Sequence, residues 1–162
     1  MSVLGRDSVQ RVRDALAQYG SSAEIVALEE TARTARDAAA SLDCPLGAIV
    51  KTLVFTCGDE AVLALVAGDR QCDPAALRGA LGRTGAVQIA DADKARAATG
   101  FAIGGVAPIG HPHALPTAID DSLRRFDTVY AAAGHPHCVF ATTVDELVAM
   151  TGGRVAAGIA RL

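Results

Sequence analysis

The chain has 162 residues, 51% of them hydrophobic and 20% charged, with a formal net charge of −3. That length suits one domain with one full core, and the composition excludes a disordered chain. A pI of about 5.7 excludes a protein that holds nucleic acid by blanket phosphate neutralisation, though not one that touches only the end of a strand.

Met1 to Arg13 is polar and charged, without the apolar run of a signal peptide. The longest stretch free of Asp, Glu, Lys and Arg, Ala97 to Ile119, is membrane-length, but its glycines and prolines would break a spanning helix. It reads as a long shaped loop of a cytoplasmic protein with no membrane partner. Cys44, Cys57, Cys72 and Cys138 form no CxxC pair and are expected to be free, buried thiols.

No repeat or linker interrupts the chain, so one domain over residues 1–162 is expected. Ser8 as N-cap, Val9, Val12 and Leu16 at helical spacing, and Gly20 predict a helix over about 8–18. A short strand follows at Ala23 to Leu28, then a helix capped by Thr34 and stopped at Cys44-Pro45. Ala48 to Thr56 and Ala61 to Ala67, around the turn at 57–60, predict a largely buried β-hairpin. Asp73-Pro74 and Asp91 each start a helix, ending near Leu81 and at Gly100. Beyond the Gly/Pro loop, strands are expected at 117–119, 128–132 and 138–141, then a helix capped by Thr143 over 144–150. The class is therefore α+β: a mixed, mainly antiparallel sheet surrounded by helices.

Thirteen of the fifteen basic residues are arginine; the two lysines are Lys51 and Lys94. Lys94 starts a polar helix and is read as solvated. Lys51 lies inside AIVKTLVF, and strand alternation puts it on one face with Ile49, Leu53 and Phe55. A lysine there must snorkel to an edge, pair with a buried carboxylate, or meet a ligand that supplies the counter-charge.

Thr99 to His111, TGFAIGGVAPIGH, suits a loop whose backbone approaches a ligand and presents N–H groups to it. It is neither a Walker loop nor a dinucleotide fingerprint, and a plain turn cluster is the competing reading. All four histidines lie in two HPH tripeptides, His111-Pro112-His113 and His135-Pro136-His137. His and Pro are common turn residues, and both copies follow a glycine, Gly110 and Gly134; a histidine at a pocket rim, His111 or His135, is favoured over a zinc site. No metal or cofactor is expected.

IVKTLVF, the AGD at 67–69, DPAAL, TGFAIGGVAPIG, LPTAIDDSL and AAAGHPHCVFATTVDEL occur in this order. Together they resemble the YbaK/ProX family of aminoacyl-tRNA deacylases, related to the editing domain inserted in bacterial prolyl-tRNA synthetases. The resemblance runs from about Val9 to Ile159 and implies a partly barrel-like sheet wrapped by helices. It implies a free-standing hydrolase that removes a wrong, small amino acid, such as Cys or Ala, from the 3′ end of tRNA-Pro or a related tRNA. A synthetase partner is compatible with that role, and DNA is not a partner. The family's lysine corresponds to Lys51 and its glycine-to-proline loop to Gly104 through Pro108. Lys51, Gly104 and Gly105 are thus the expected catalytic group. Leu53, Ile103, Val106, Ala107, Pro108, Gly110, His111, Asp120, Gly134 and His135 are the expected substrate-binding residues. An activated ester needs an oriented water and oxyanion stabilisation more than a strong nucleophile, and no GxSxG motif is present. Two other readings compete: a non-catalytic binding module of the same fold, and a metal-dependent hydrolase built on the HPH sites.

Overall fold

The computed structural model describes residues 3–29 and 34–162. Five helices are present among them: α1 (Asp7–Gln18), α2 (Ala35–Leu42), α3 (Pro74–Ala80), α4 (Ala92–Thr99) and α5 (Val144–Thr151). The strands are β1 (Ile25–Ala27), β2 (Ile49–Cys57), β3 (Glu60–Ala67), β4 (Gln71–Cys72), β5 (Val87–Ile89), β6 (Thr117–Asp120), β7 (Val129–Ala132), β8 (Cys138–Thr142), β9 (Arg154–Ala156) and β10 (Ala160–Arg161).

Most helices begin where a side chain accepts a free first-turn N–H. Thr34 Oγ1 accepts from the Asp37 N–H, Asp73 from Ala75 and Ala76, Asp91 from Lys94, and Thr143 from Glu146. Left-handed Gly100 and Gly152 end α4 and α5. The first helix departs from expectation. Arg6 occupies its N-cap without a side-chain bond, which leaves Ser8 inside the first turn.

The main sheet runs β1-β8-β7-β2-β3-β6-β9, open at both ends, and β5 joins it by pairing with β2; β4 and β10 form a separate ribbon. The β1/β8, β8/β7, β2/β3 and β2/β5 pairs are antiparallel, whereas β7/β2, β3/β6 and β6/β9 are parallel. The expected mixed, mainly antiparallel class is what is found. Both faces of the centre are covered. Leu63 and Leu65 of β3 pack in a cluster with Val9, Val12 and Leu16 of α1 and Leu147 of α5. The alternate residues Val62, Ala64 and Val66 pack with Leu77 of α3 and Ile159. Burial on both sides explains the unbroken apolar run of β3.

On one edge β2 pairs with β3 from Val50 to Cys57. Its other edge is shared by two strands. There, β7 pairs with Ile49 and Val50, while β5 pairs with Phe55 to Cys57. The Ala90 N–H adds a bond to the Val54 carbonyl. Among the described residues no strand pairs with Lys51, Thr52 or Leu53 on that edge, and the sheet forks there.

Candidate active site

A cavity of about 330 Å³ opens at the fork. Its walls come from β2, from Ala35 and Ala38 of α2, from Tyr130, Ala132 and Pro136, and from Ile103, Gly104 and Val106 of the glycine loop. Ile89 and Ile103, 70% and 57% exposed, stand at its mouth. Among the described residues Lys51 supplies the only charged side chain of the lining; the hydroxyls of Thr34, Thr52 and Tyr130 are the other polar side-chain groups there. Thr52 Oγ1 is buried without a hydrogen-bond partner among the described residues, although such groups are nearly always paired.

Lys51 Nζ donates to the Arg70 carbonyl at 2.5 Å and forms no ion pair with a described carboxylate. Burial lowers its pKa, partly offset by the charges of Asp69, Cys72 and Asp120. One neutral acceptor occupies one of three ammonium protons, so donors remain for a ligand.

The glycine loop is held from behind. Gly104 adopts φ +93°, a conformation that favours glycine. The Gly105 N–H donates to the Ala102 carbonyl, while the N–H groups of Gly104 and Val106 have no acceptor among the described residues. Gly105 lies on the backbone of His135, where a Cβ would sit 2.9 Å from the His135 Cα. Its glycine is required by packing. The His111 imidazole, as the Nε2–H tautomer, donates to the Ala107 carbonyl at 2.7 Å and meets Phe101 edge-on. The Arg11 guanidinium lies 4.6 Å from the centre of that same ring and donates to the Gly100 carbonyl.

Of the residues expected at the site, Lys51, Leu53, Ile103, Gly104 and Val106 line the cavity together. Gly105, Ala107, Pro108, Gly110 and His111 form the body of the loop behind that wall. Asp120, only 1% exposed, is spent on the fold: it accepts from the Ala67 N–H, the Ser122 N–H and the Ser122 hydroxyl. Gly134 lets the start of α1 approach, because a Cβ would lie 2.5 Å from the Ser8 carbonyl oxygen. His135 accepts at Nδ1 from the His137 N–H, and it is the intervening Pro136 that reaches the lining. Among the described residues no group of three or more His, Cys, Asp or Glu is placed to hold a metal ion. Thr52, Tyr130, Pro136 and the alanines of α2 escaped the sequence reading. Only Thr52, adjoining Lys51, carried a local signal.

The profile of the aminoacyl-tRNA editing domain matches residues 29–150, a span that contains the whole cavity lining. The chain belongs to the aminoacyl-tRNA editing domain family. Within this YbaK-like editing family, protein YwhH of Bacillus subtilis (strain 168), itself uncharacterized, is 30% identical over 141 residues, covering 86% of this chain and 88% of its own. A proline–tRNA ligase of Leuconostoc mesenteroides is 29% identical over 131 residues, 78% of this chain but 22% of the ligase. The editing domain thus spans about a fifth of that enzyme. A crystal structure described as a candidate trans-editing enzyme for prolyl tRNA synthetase superposes with a TM-score of 0.88 at 38% identity, covering 94% of this chain and 96% of the other. No described helix of the editing domain is long and apolar enough to cross a membrane.

Proposed function

We propose that this chain is a free-standing trans-editing hydrolase that cleaves the ester between a wrongly attached small amino acid, Cys or Ala, and the 3′ end of tRNA-Pro or a related tRNA. One observation carries the reading: Lys51, whose ammonium has no described carboxylate partner, and Gly104 and Val106, whose N–H groups have no acceptor among the described residues, line the same mostly apolar cavity. The apolar walls of such a cavity suit a short aliphatic side chain. A second, small pocket is needed because a synthetase gains only about 1–3 kcal/mol from one methylene.

The ester carbonyl is polarised by Lys51 Nζ or by the free N–H groups of Gly104 and Val106, which then hold the oxyanion as water adds. The Lys51 ammonium alternatively binds the terminal phosphate, leaving the oxyanion to the loop. Among the described residues the lining contains no Ser, Cys, His, Asp or Glu, so none of these supplies a nucleophile or a base there. The attacking water is oriented instead by substrate groups, the ribose 2′-hydroxyl or a side-chain thiol. Proximity of the bound groups supplies a further part of the acceleration.

Incubation with Cys-, Ala-, Ser- and Pro-charged tRNA tests the reading. The expected outcome is hydrolysis of Ala- or Cys-tRNA-Pro with sparing of Pro-tRNA-Pro, and a loss of about 100-fold or more in Lys51→Ala. Absence of turnover on every member, with binding retained, would identify a binding module instead.

A further inference from the structure

Lys51 lies in the electric field of two carboxylates, Asp69 and Asp120, and of the Cys72 sulfur. Neither carboxylate is bonded to it. Asp120 is occupied by Ala67 and Ser122. Asp69 receives two parallel bonds from Arg125, at 2.9 Å to Oδ2 and 2.8 Å to Oδ1, with Arg70 Nε 3.9 Å from Oδ1. Arg125 is itself fixed: its Nε donates to the Ser122 carbonyl at 2.6 Å, and its guanidinium lies 5.0 Å from the centre of the Phe126 ring. Gly47 makes room for the pair, since a Cβ there would stand 2.7 Å from Arg125 Nη2 and 2.9 Å from Asp69 Oδ2. The turn that carries Asp69 also presents the Arg70 carbonyl to Lys51.

We infer that Arg125 is a positioning residue for Lys51: by holding the Asp69 carboxylate in a two-point bond it denies the lysine a counter-ion and leaves the ammonium for an oxygen of the ligand. This rests on the reading of Lys51 as a substrate-binding cation. A fork-to-carboxylate pair is rigid as well as strong, so the acid is kept from the nearby ammonium by geometry and not only by charge balance. Were Asp69 free, the lysine would have to break an ion pair before any substrate could use it. The Arg70 carbonyl meanwhile aims the ammonium without neutralising it.

The experiment uses the full chain with Arg125→Gln, Arg125→Lys, Asp69→Asn and the Asp69→Asn/Arg125→Gln double variant, each checked by thermal melting. The first readout is the pH midpoint at which an amine-reactive reagent labels Lys51, followed by peptide mass spectrometry. The second is kcat/KM on whichever mischarged tRNA the wild type hydrolyses. Arg125→Gln is expected to raise the labelling midpoint and lower kcat/KM about tenfold. Arg125→Lys, charged but unable to make the two-point bond, falls between it and wild type. The double variant returns the midpoint to the wild-type value or below and recovers most of the activity, because the freed carboxylate is gone. A purely structural pair predicts the reverse, with the double variant no better than Arg125→Gln. That result, or an unmoved midpoint in Arg125→Gln, overturns the inference. If Arg125→Gln does not fold, a midpoint unmoved in Arg125→Lys does the same. A wild type inactive on every ester defeats the functional reading alone, because the labelling midpoints still decide the role of Arg125.

Discussion

The imidazole of His111 closes the glycine loop on itself through the Ala107 carbonyl and is wedged against Phe101, a ring that also carries Arg11. Burial, with a smaller contribution from Arg11, pushes its pKa below the usual 6.5 despite the bond to Ala107. The unfolded chain therefore binds this proton at a higher pH than the folded one. Stability falls as pH drops through the ordinary histidine value and is lowest below the folded-state pKa. His135 shifts in the same direction, through burial, Arg6 and His137. Melting temperature is expected to decline between about pH 7 and 5, and to decline less in His111→Gln, which keeps a donor for Ala107 but cannot titrate. Equal slopes would remove His111 from the account. Lys51 was legible because a charge inside an apolar strand breaks the pattern. The direction of the His111 ring was not, since a histidine after Gly110 suits a pocket rim and a loop staple equally well.

Helix α4 hangs between β5 and the glycine loop, and its two ends determine how that loop is delivered. The Asp91 carboxylate caps its start through the Lys94 N–H at 2.8 Å, and left-handed Gly100 turns the chain toward Phe101. Asp91→Ala is expected to cost about 1 kcal/mol, read as a lower denaturant midpoint with an unchanged m-value. An altered m-value would signal a wider loosening. Caps of this kind made α2, α3, α4 and α5 readable to within a residue or so, and the apolar runs of β2 and β3 announced the hairpin. Strands β4, β5, β9 and β10 were invisible for a physical reason. At two or three residues they carry no alternation of their own and exist only through their partners, as Ala160 does opposite Cys72 and Gln88 opposite Thr56.

For the whole molecule, several arginines are committed to ion pairs among the described residues. Arg83 pairs with Glu60, Arg124 with Asp145, Arg125 with Asp69 and Arg161 with Asp73. The adjacent Arg124 and Arg125 are thus each held by an acid. With a net charge of −3, the acids outnumber the bases, which disfavours a broad positive surface that displaces counterions from a nucleic acid. The slope of log affinity for tRNA against log salt is expected to be shallower than about −3. A slope near −6 would mean a broad grip on the acceptor stem. The chemical half of the cavity could be read from local sequence, as an odd lysine and a glycine-rich loop. The other half could not, because Ala38, Tyr130 and Val139 look like ordinary core until strands distant in sequence bring them around one space.

Because β7 and β5 attach separately to β2, the two banks of the opening are not tied to each other through that strand's free stretch. Aperture is then an adjustable quantity. A slip of one short strand, or a bulkier residue beside Ala90, would narrow the gap from one side and leave the opposite bank and the lysine untouched. A lineage built on this plan can retune what it admits without rebuilding the machinery that acts on it.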